Sequence, residues 1–378
     1  MIAHAAVSEA PAPAIPRLIA PTPYQASFGR VVATLPGGTV VVSVLVDGKT
    51  VVTRSTSAAR IRLTVPLPRY DTMIRVVAID AAGRRRSSAT VGPVFGLPPR
   101  AAPRRAGSFR DARLTRRVTA LARAFRGTAA VYVRDLATGL GAAWNARARF
   151  PAGSTLKLAI ALEALRDLRG PPAHGSSPDG LLRATIVGSD NRAANALEVW
   201  FGGSTSGGSA RVDALLRTLG LTDSEMFGAY EVDERAGRPI PVEADAQPSF
   251  GRGKYTTAWD LSRLIADVYL AAGGRGPLVH RLHGEVTPAE ARYLLYLLVH
   301  AQDGGKLDRF LPRDAVVAHK AGWISTARHD NGLVFWSGGA FVASVMTWNA
   351  SGTGAASDVL AGRVAKAALE RFNHLDRH

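Results

Sequence analysis

The chain has 378 residues, 47% of them apolar, no cysteine and a formal net charge of +17. That length and apolar content allow two or three domains with sizeable cores, and the missing cysteine excludes a disulfide framework and a thiolate metal site. The basic balance is mostly arginine, because lysine stands only at 49, 157, 254, 306, 320 and 366; the arginine clusters at 84–86, 104–105 and 116–117 are short and lack interleaved aromatics, so no nucleic-acid partner is expected.

No run of about twenty apolar residues marks a membrane span. Residues 1–20 read as a disordered Pro/Ala-rich spacer. They lack a basic n-region and a long apolar h-region, yet Ala3–His4–Ala5 carries the small residues of a cleavage site. Two readings stay open: a plain tail, or a start placed inside a signal peptide. The second would make the protein extracellular or cell-wall associated.

Residues 21–97 have a β pattern. Thr39–Val46 and Lys49–Ser55 read as two strands joined across Asp47-Gly48, the strongest short-range hairpin signal. Ile74–Asp80 alternates, and Gly83 punctuates the next turn. About seven short strands in this space predict an immunoglobulin-like β-sandwich. No chemical constellation falls in it, so spacing or docking is its expected role. Residues 98–108 read as a Pro/Arg linker.

The remainder, 109–378, changes character. A helix is expected near Asp111–Phe125, where Leu114, Val118, Leu121 and Phe125 share one face. Thr128–Leu136 and Leu140–Asn145 form a second hairpin pattern across Thr138-Gly139. Phe150–Leu165 reads as a helix that is apolar almost all round. Helices follow at Leu181–Val187, Arg192–Trp200, Ala210–Leu219, Ala258–Ala271 and Pro288–Ala301, with Gly202–Ser209 as a flexible Gly/Ser loop. Strands return at Ala315–Gly322, Asn331–Ser337 and Ala340–Asn349, and a helix at Asp358–Phe372 closes the chain. This order predicts one α/β domain whose sheet is built from both ends of the segment, with a helical insertion between.

Within the apolar helix, Ser154 and Lys157 form an S-x-x-K pair. Residues i and i+3 share a helix face, with Cβ atoms about 5–6 Å apart. Serine needs a base to become a useful nucleophile, and lysine can serve only if burial lowers its pKa. Alone the pair is weak, since S-x-x-K arises by chance and lysine can snorkel. Ser189-Asp190-Asn191 alone is an ordinary N-cap, and Lys320-Ala321-Gly322 alone is a strand end. The three in this order are far more specific.

With "STLK", "SDN" and "HKAGW" in that order, and "YTTAWDLSRLI" and "NGLVFWSGGAFVASVMT" around them, the chain from about Ser108 onward resembles the penicillin-recognising active-site-serine hydrolases, nearest to class A β-lactamases. The resemblance implies a β-lactamase/transpeptidase-like fold, an antiparallel sheet flanked by helices, and cleavage of β-lactam amides through an acyl-serine intermediate without metal or organic cofactor. It implies Ser154 as nucleophile, Lys157 as base or relay, and Ser189 as proton shuttle to the leaving nitrogen. Asn191 and Lys320 would bind substrate at the Gly322 turn, and the Ser154 and Trp323 N–H groups would form the oxyanion hole. The expected partner is a small-molecule β-lactam or a peptidoglycan stem peptide, and the expected state a monomer.

The pattern also departs from the family. Ala321 stands where a Thr or Ser usually helps bind the substrate carboxylate; Arg328 could compensate or be an ordinary surface residue. The stretch between S-x-x-K and S-D-N is short. No E-x-x-L-N pattern supplies a deacylation base. Glu225 is the candidate by distance along the chain, and Glu231 a weaker one. Without such a base the alternatives are a penicillin-binding DD-peptidase-like enzyme or a non-hydrolysing wall- or ligand-binding protein.

Overall fold

The computed structural model describes residues 14–230 and 253–375. The chain divides into two compact units, Met1–Pro99 and Arg100–His378.

In the first unit the described strands are β1 (Arg17–Ala20), β2 (Gln25–Ser27), β3 (Arg30–Thr34), β4 (Thr39–Val46), β5 (Lys49–Ser55), β6 (Arg60–Thr64), β7 (Asp71–Asp80), β8 (Arg85–Ser87) and β9 (Val91–Gly96). They form two sheets, β1-β3-β6 and β2-β9-β7-β4-β5, with β8 beside β7. Val31, Ala33 and Ile61 from one sheet and Val42, Val44, Ile74 and Val76 from the other share one apolar core. The β4–β5 turn is the expected one. Asp47 and Gly48 both have positive φ, 48° and 79°, the backbone a tight right-twisted hairpin demands. The Asp47 carboxylate then accepts from Thr72 Oγ1 at 2.6 Å and the Met73 N–H at 2.8 Å, which ties the turn to β7.

The second unit begins with β10 (Phe109–Arg110), α1 (Ala112–Arg123), β11 (Thr128–Asp135), β12 (Leu140–Trp144) and β13 (Arg149–Pro151). A 3-10 turn, Gly153–Leu156, leads into α2 (Lys157–Leu168), and α3 (Ser177–Ile186), α4 (Asn191–Gly202) and α5 (Thr205–Leu219) follow. After them come β14 (Tyr255–Thr257), α6 (Ala258–Ala272), α7 (Pro277–His280) and α8 (Pro288–Val299). The unit ends with β15 (Val316–Ile324), β16 (Ala327–Trp336), β17 (Gly339–Trp348) and α9 (Ala355–Leu375). The sheet order β10-β12-β11-β17-β16-β15 joins N-terminal to C-terminal strands at β11–β17. Helices α1 and α9 share a core with Val131, Val133, Val345 and Phe341 on one face. In the stretch read as a linker, the Ala102 carbonyl accepts from Tyr269 Oη at 3.2 Å.

Three local expectations are corrected. Residues 17–20, read as the end of a disordered spacer, form β1, which pairs antiparallel with β3. Phe150–Leu165 is not one helix: Phe150 lies in β13, and the α-helix proper starts only at Lys157. Gly153, at φ 52°, makes the break. Nor is Gly202–Ser209 a flexible loop, because α5 starts at Thr205 behind an N-cap in which Ser204 Oγ accepts from the Gly207 N–H. Its glycines serve packing. A Cβ on Gly208 would lie 2.5 Å from Glu198 Cβ, and one on Gly202 2.1 Å from the Gly208 nitrogen, so only bare backbone lets α4 and α5 approach this closely.

Candidate active site

The turn that carries Ser154 is held from three sides. β13 pairs with β14, and the Ala152 N–H donates to the Lys254 carbonyl at 2.9 Å. Thr155 Oγ1 donates back to the Ala152 carbonyl at 2.7 Å. From beneath, His329 Nε2 donates to the Pro151 carbonyl at 2.7 Å while its Nδ1 accepts from the Thr347 N–H at 3.2 Å. A ring that donates from one nitrogen and accepts at the other is neutral, and burial pushes its pKa down to about 4. Ser154 is half-buried on this turn.

The end of β15 closes onto it through two glycines. A Cβ on Gly322 would lie 2.6 Å from the Ser154 nitrogen, and one on Gly153 2.9 Å from the Trp323 nitrogen. Neither distance is possible for a real side chain, so glycine at both positions is what lets the two backbones meet. The Ser154 and Trp323 N–H groups are thereby brought to one junction.

Lys157, fully buried, is the first residue of α2. Its ammonium donates to the Ser189 carbonyl and, at 2.6 Å, to Asn191 Oδ1. Burial pushes its pKa down to about 7; the Lys320 and Lys254 charges push the same way and Asp190 opposes them. Lys320, on β15, donates to Ser189 Oγ at 2.8 Å and to the Ala321 carbonyl at 3.0 Å. Its pKa is lowered to about 8 by burial, with Asp303 and Asp330 opposing. Ser189 thus offers its carbonyl to one lysine and its hydroxyl to the other. To do so it sits at φ 56°, a left-handed conformation costly for a non-glycine residue and typical of functional sites. Asp190 fixes the junction by capping α4, its Oδ1 accepting from the Ala193 N–H at 2.7 Å.

Of the residues singled out in the sequence, Ser154, Lys157, Ser189, Asn191, Lys320, Gly322 and Trp323 converge here. Glu225 does not join them. It is exposed, and its Oε2 accepts from Tyr255 Oη at 2.6 Å. Among the described residues its hydrogen bonds go to Tyr255 alone, because main-chain pairing with that residue turns its side chain toward solvent. Glu231 lies outside the described residues. Arg328 is bound twice to Asp358, at 2.7 and 2.9 Å, so it does not replace the hydroxyl absent at Ala321.

The sequence reading passed over Tyr230, Lys254 and Asn195. The buried Tyr230 ring lies over Lys157, 4.8 Å from ammonium to centroid. Its backbone is pinned by Asn195, which accepts from the Tyr230 N–H at 2.6 Å and donates to its carbonyl at 2.8 Å. Asn195 follows Asn191 by one helical turn, so a polar residue at i+4 was an available signal. Lys254 could have been found by its rarity, being one of six lysines in an arginine-rich chain. Tyr230 carries no sequence signal.

A family model described as the beta-lactamase enzyme family matches residues 113–170 and 176–372. The chain belongs to that family. The match lies wholly in the second unit. Among solved structures the fold is similar to PBP-A, with TM-score 0.56 and 19% identity over 74% of this chain and 99% of that one. It is likewise similar to the beta-lactamase from Sphaerobacter thermophilus DSM 20745, with TM-score 0.54 and 20% identity over 70% of this chain and 98% of that one. A PBP-A variant solved as its acyl-enzyme complex with penicillin G gives TM-score 0.55 and 20% identity over 71% of this chain and 98% of that one. At these identities the likeness is one of fold. No curated protein matches the chain.

Proposed function

We propose that the protein is an active-site-serine hydrolase that opens the amide of a β-lactam, or of a peptidoglycan stem peptide, through an acyl-enzyme on Ser154. The observation that carries this reading is the buried Lys157 amine, one turn from Ser154, whose hydrogen bonds among the described residues go to neutral oxygens of Ser189 and Asn191 and whose pKa burial pushes down to about 7. An unperturbed lysine is neutral in roughly one molecule in three thousand at pH 7; the lowered pKa of Lys157 makes the neutral, proton-accepting form far more accessible.

In the acylation step the Ser154 Oγ lone pair attacks the carbonyl carbon as its proton passes to Lys157 Nζ. The oxyanion forms against the N–H groups of Ser154 and Trp323. When the carbon–nitrogen bond breaks, Ser189 Oγ gives its proton to the leaving nitrogen and is reprotonated from the lysine side. Lys320, while charged, binds the substrate carboxylate, and Asn191 the substrate amide.

A second observation favours the DD-peptidase-like reading over fast β-lactam turnover. The group lying over Lys157 is the Tyr230 ring, and Glu225 is turned away to Tyr255. Among the described residues a water there has an aromatic face beside it and no carboxylate base, so the acyl-enzyme should be long-lived. The penicillin G acyl-enzyme known for the PBP-A variant fits the same chemistry. We read the first unit as an immunoglobulin-like spacer or wall-docking module, supported by its two-sheet core, and the protein as working outside the cell.

Intact mass followed over time with benzylpenicillin tests the reading. One adduct per chain, absent from Ser154→Ala, is expected, decaying over many minutes. An unmodified wild type, or an adduct that persists in Ser154→Ala, would overturn it.

A further inference from the structure

A second basic feature of this unit lies away from Ser154. A cleft of about 250 Å³ opens beside the end of β11, lined by Arg104, Arg105, Ala106, Arg134, Leu136 and Leu270. Gly322 aligns with His329, Met346 and Ala130 across the sheet, and Arg134 lies farther along β11, toward the opposite end. By strand spacing and residue rise the two places are roughly 20 Å apart. The segment carrying Arg104 and Arg105 is held in place. The Ala102 carbonyl accepts from Tyr269 Oη at 3.2 Å, and Arg104 Nη2 donates to the Arg100 carbonyl at 2.9 Å. A Cβ on Gly273 would lie 2.7 Å from Pro103 Cβ, so the segment runs close against the end of α6. Arg134 comes from the other side. Tyr132, two residues before it, meets Trp259 of α6 edge-on, and alternation along the strand puts Arg134 on that same face. Its Nε is buried and, among the described residues, has no hydrogen-bond partner.

We propose that this cleft binds the phosphodiester group of an anionic polyol-phosphate polymer, an attachment site separate from the site at Ser154. The proposal needs no chemistry at Ser154.

Three guanidinium groups around one cleft repel each other unless an anion comes between them. The nearby carboxylates supply little of that charge. Asp267 of α6 is close enough for the Arg134 charge to act on it, yet burial dominates and pushes its carboxyl up to about 7. The two form no ion pair. The Asp135 carboxylate is taken up by the N–H groups of Ala137 and Thr138 and by the Thr138 hydroxyl. Guanidinium donors make paired, directed bonds to oxyanions. Arginines arriving from a strand and from a facing segment suit a tetrahedral group, which offers oxygens in several directions, better than a flat carboxylate. Ala106, Leu136 and Leu270 give an apolar wall for the carbon chain that joins successive phosphates. Among the described residues the lining holds no aromatic ring on which a base could stack, which favours a polyol phosphate over a nucleic acid.

The test is calorimetric titration of the full chain with poly(glycerol phosphate), with inorganic phosphate, polyglutamate and single-stranded RNA as comparison probes. Wild type should bind the polymer, more weakly as salt rises from about 50 to about 200 mM, and roughly tenfold or more tighter than each comparison probe. Arg134→Gln and, separately, Arg105→Gln should each weaken binding roughly tenfold, while Arg116→Gln, which removes one exposed charge from α1, should stay within about twofold. Thermal melting separates a lost contact from a lost fold in Arg134→Gln, and the exposed Arg105 keeps the test decisive should that variant not fold. Equal weakening by all three variants would mean a diffuse basic surface. Equally tight inorganic phosphate would mean a free-anion site, equally tight polyglutamate a carboxylate site, and equally tight RNA a nucleic-acid site. Each of these results, like an absence of binding, would overturn the proposal. A missing penicillin adduct would not, because it tests Ser154 alone.

Discussion

The two units of the chain bury different things. In the first, the buried polar side chains among the described residues are Gln25, Ser27, Thr39, Ser43, Thr72 and Ser88, all uncharged, around a core of valine, isoleucine and leucine. In the second, Lys157, Lys306, Lys320, Glu163, Glu198 and Asp330 are all buried. Taking an ion out of water costs several kcal/mol unless a partner restores it, so the second unit holds groups that a purely structural core would not keep. Within it the lysines divide again. Lys306 is ion-paired with Asp303, which makes it a structural charge. Among the described residues Lys157 hydrogen-bonds to neutral oxygens, and burial with the Lys320 and Lys254 charges outweighs Asp190 and pushes its pKa down to about 7. On the proposed function, the state of pairing, more than burial, separates the lysine that acts as base from the structural one.

That contrast breaks first at Lys157. A guanidinium keeps its proton, so Lys157→Arg should slow acylation at pH 7 by roughly a hundredfold or more, whereas Lys306→Arg should stay within about threefold because a paired cation replaces a paired cation. Stopped-flow acylation of both variants decides it, and equal losses would erase the distinction. A smaller effect is expected where the backbones meet. Gly322→Ala puts a methyl where the Ser154 nitrogen already lies 2.6 Å away. The strand must retreat, so acylation should fall about tenfold and stability by roughly 1–3 kcal/mol, read by the same assay and by thermal melting. Unchanged kinetics would show that the N–H groups of Ser154 and Trp323 are not used as a pair.

Much of this was legible in the sequence, for reasons that differ by element. The Asp47-Gly48 hairpin could be read because two positive-φ residues select one turn. The convergence of Lys157, Asn191 and Lys320 could be read because each sits in a motif whose spacing fixes its neighbours. The start of α5 was misread because glycine at 207 and 208 signals looseness locally, while in the fold it answers the closeness of α4. Glu225 was placed by chain distance alone, which says nothing about the direction its side chain takes once its backbone pairs with Tyr255. Tyr230 could not be found at all, since its place over Lys157 is set by Asn195 and Lys254, distant in sequence.

The most direct test of the central claim is the pH dependence of the Ser154 acylation rate. A base that must be neutral gains activity as pH rises through its pKa, and a cation that must hold a carboxylate loses it as pH rises through its own. With Lys157 near 7 and Lys320 near 8, the profile should be a narrow bell with an ascending limb near pH 7 and a descending limb near pH 8. A rate that keeps climbing beyond pH 9, as for an ordinary lysine, would contradict the account.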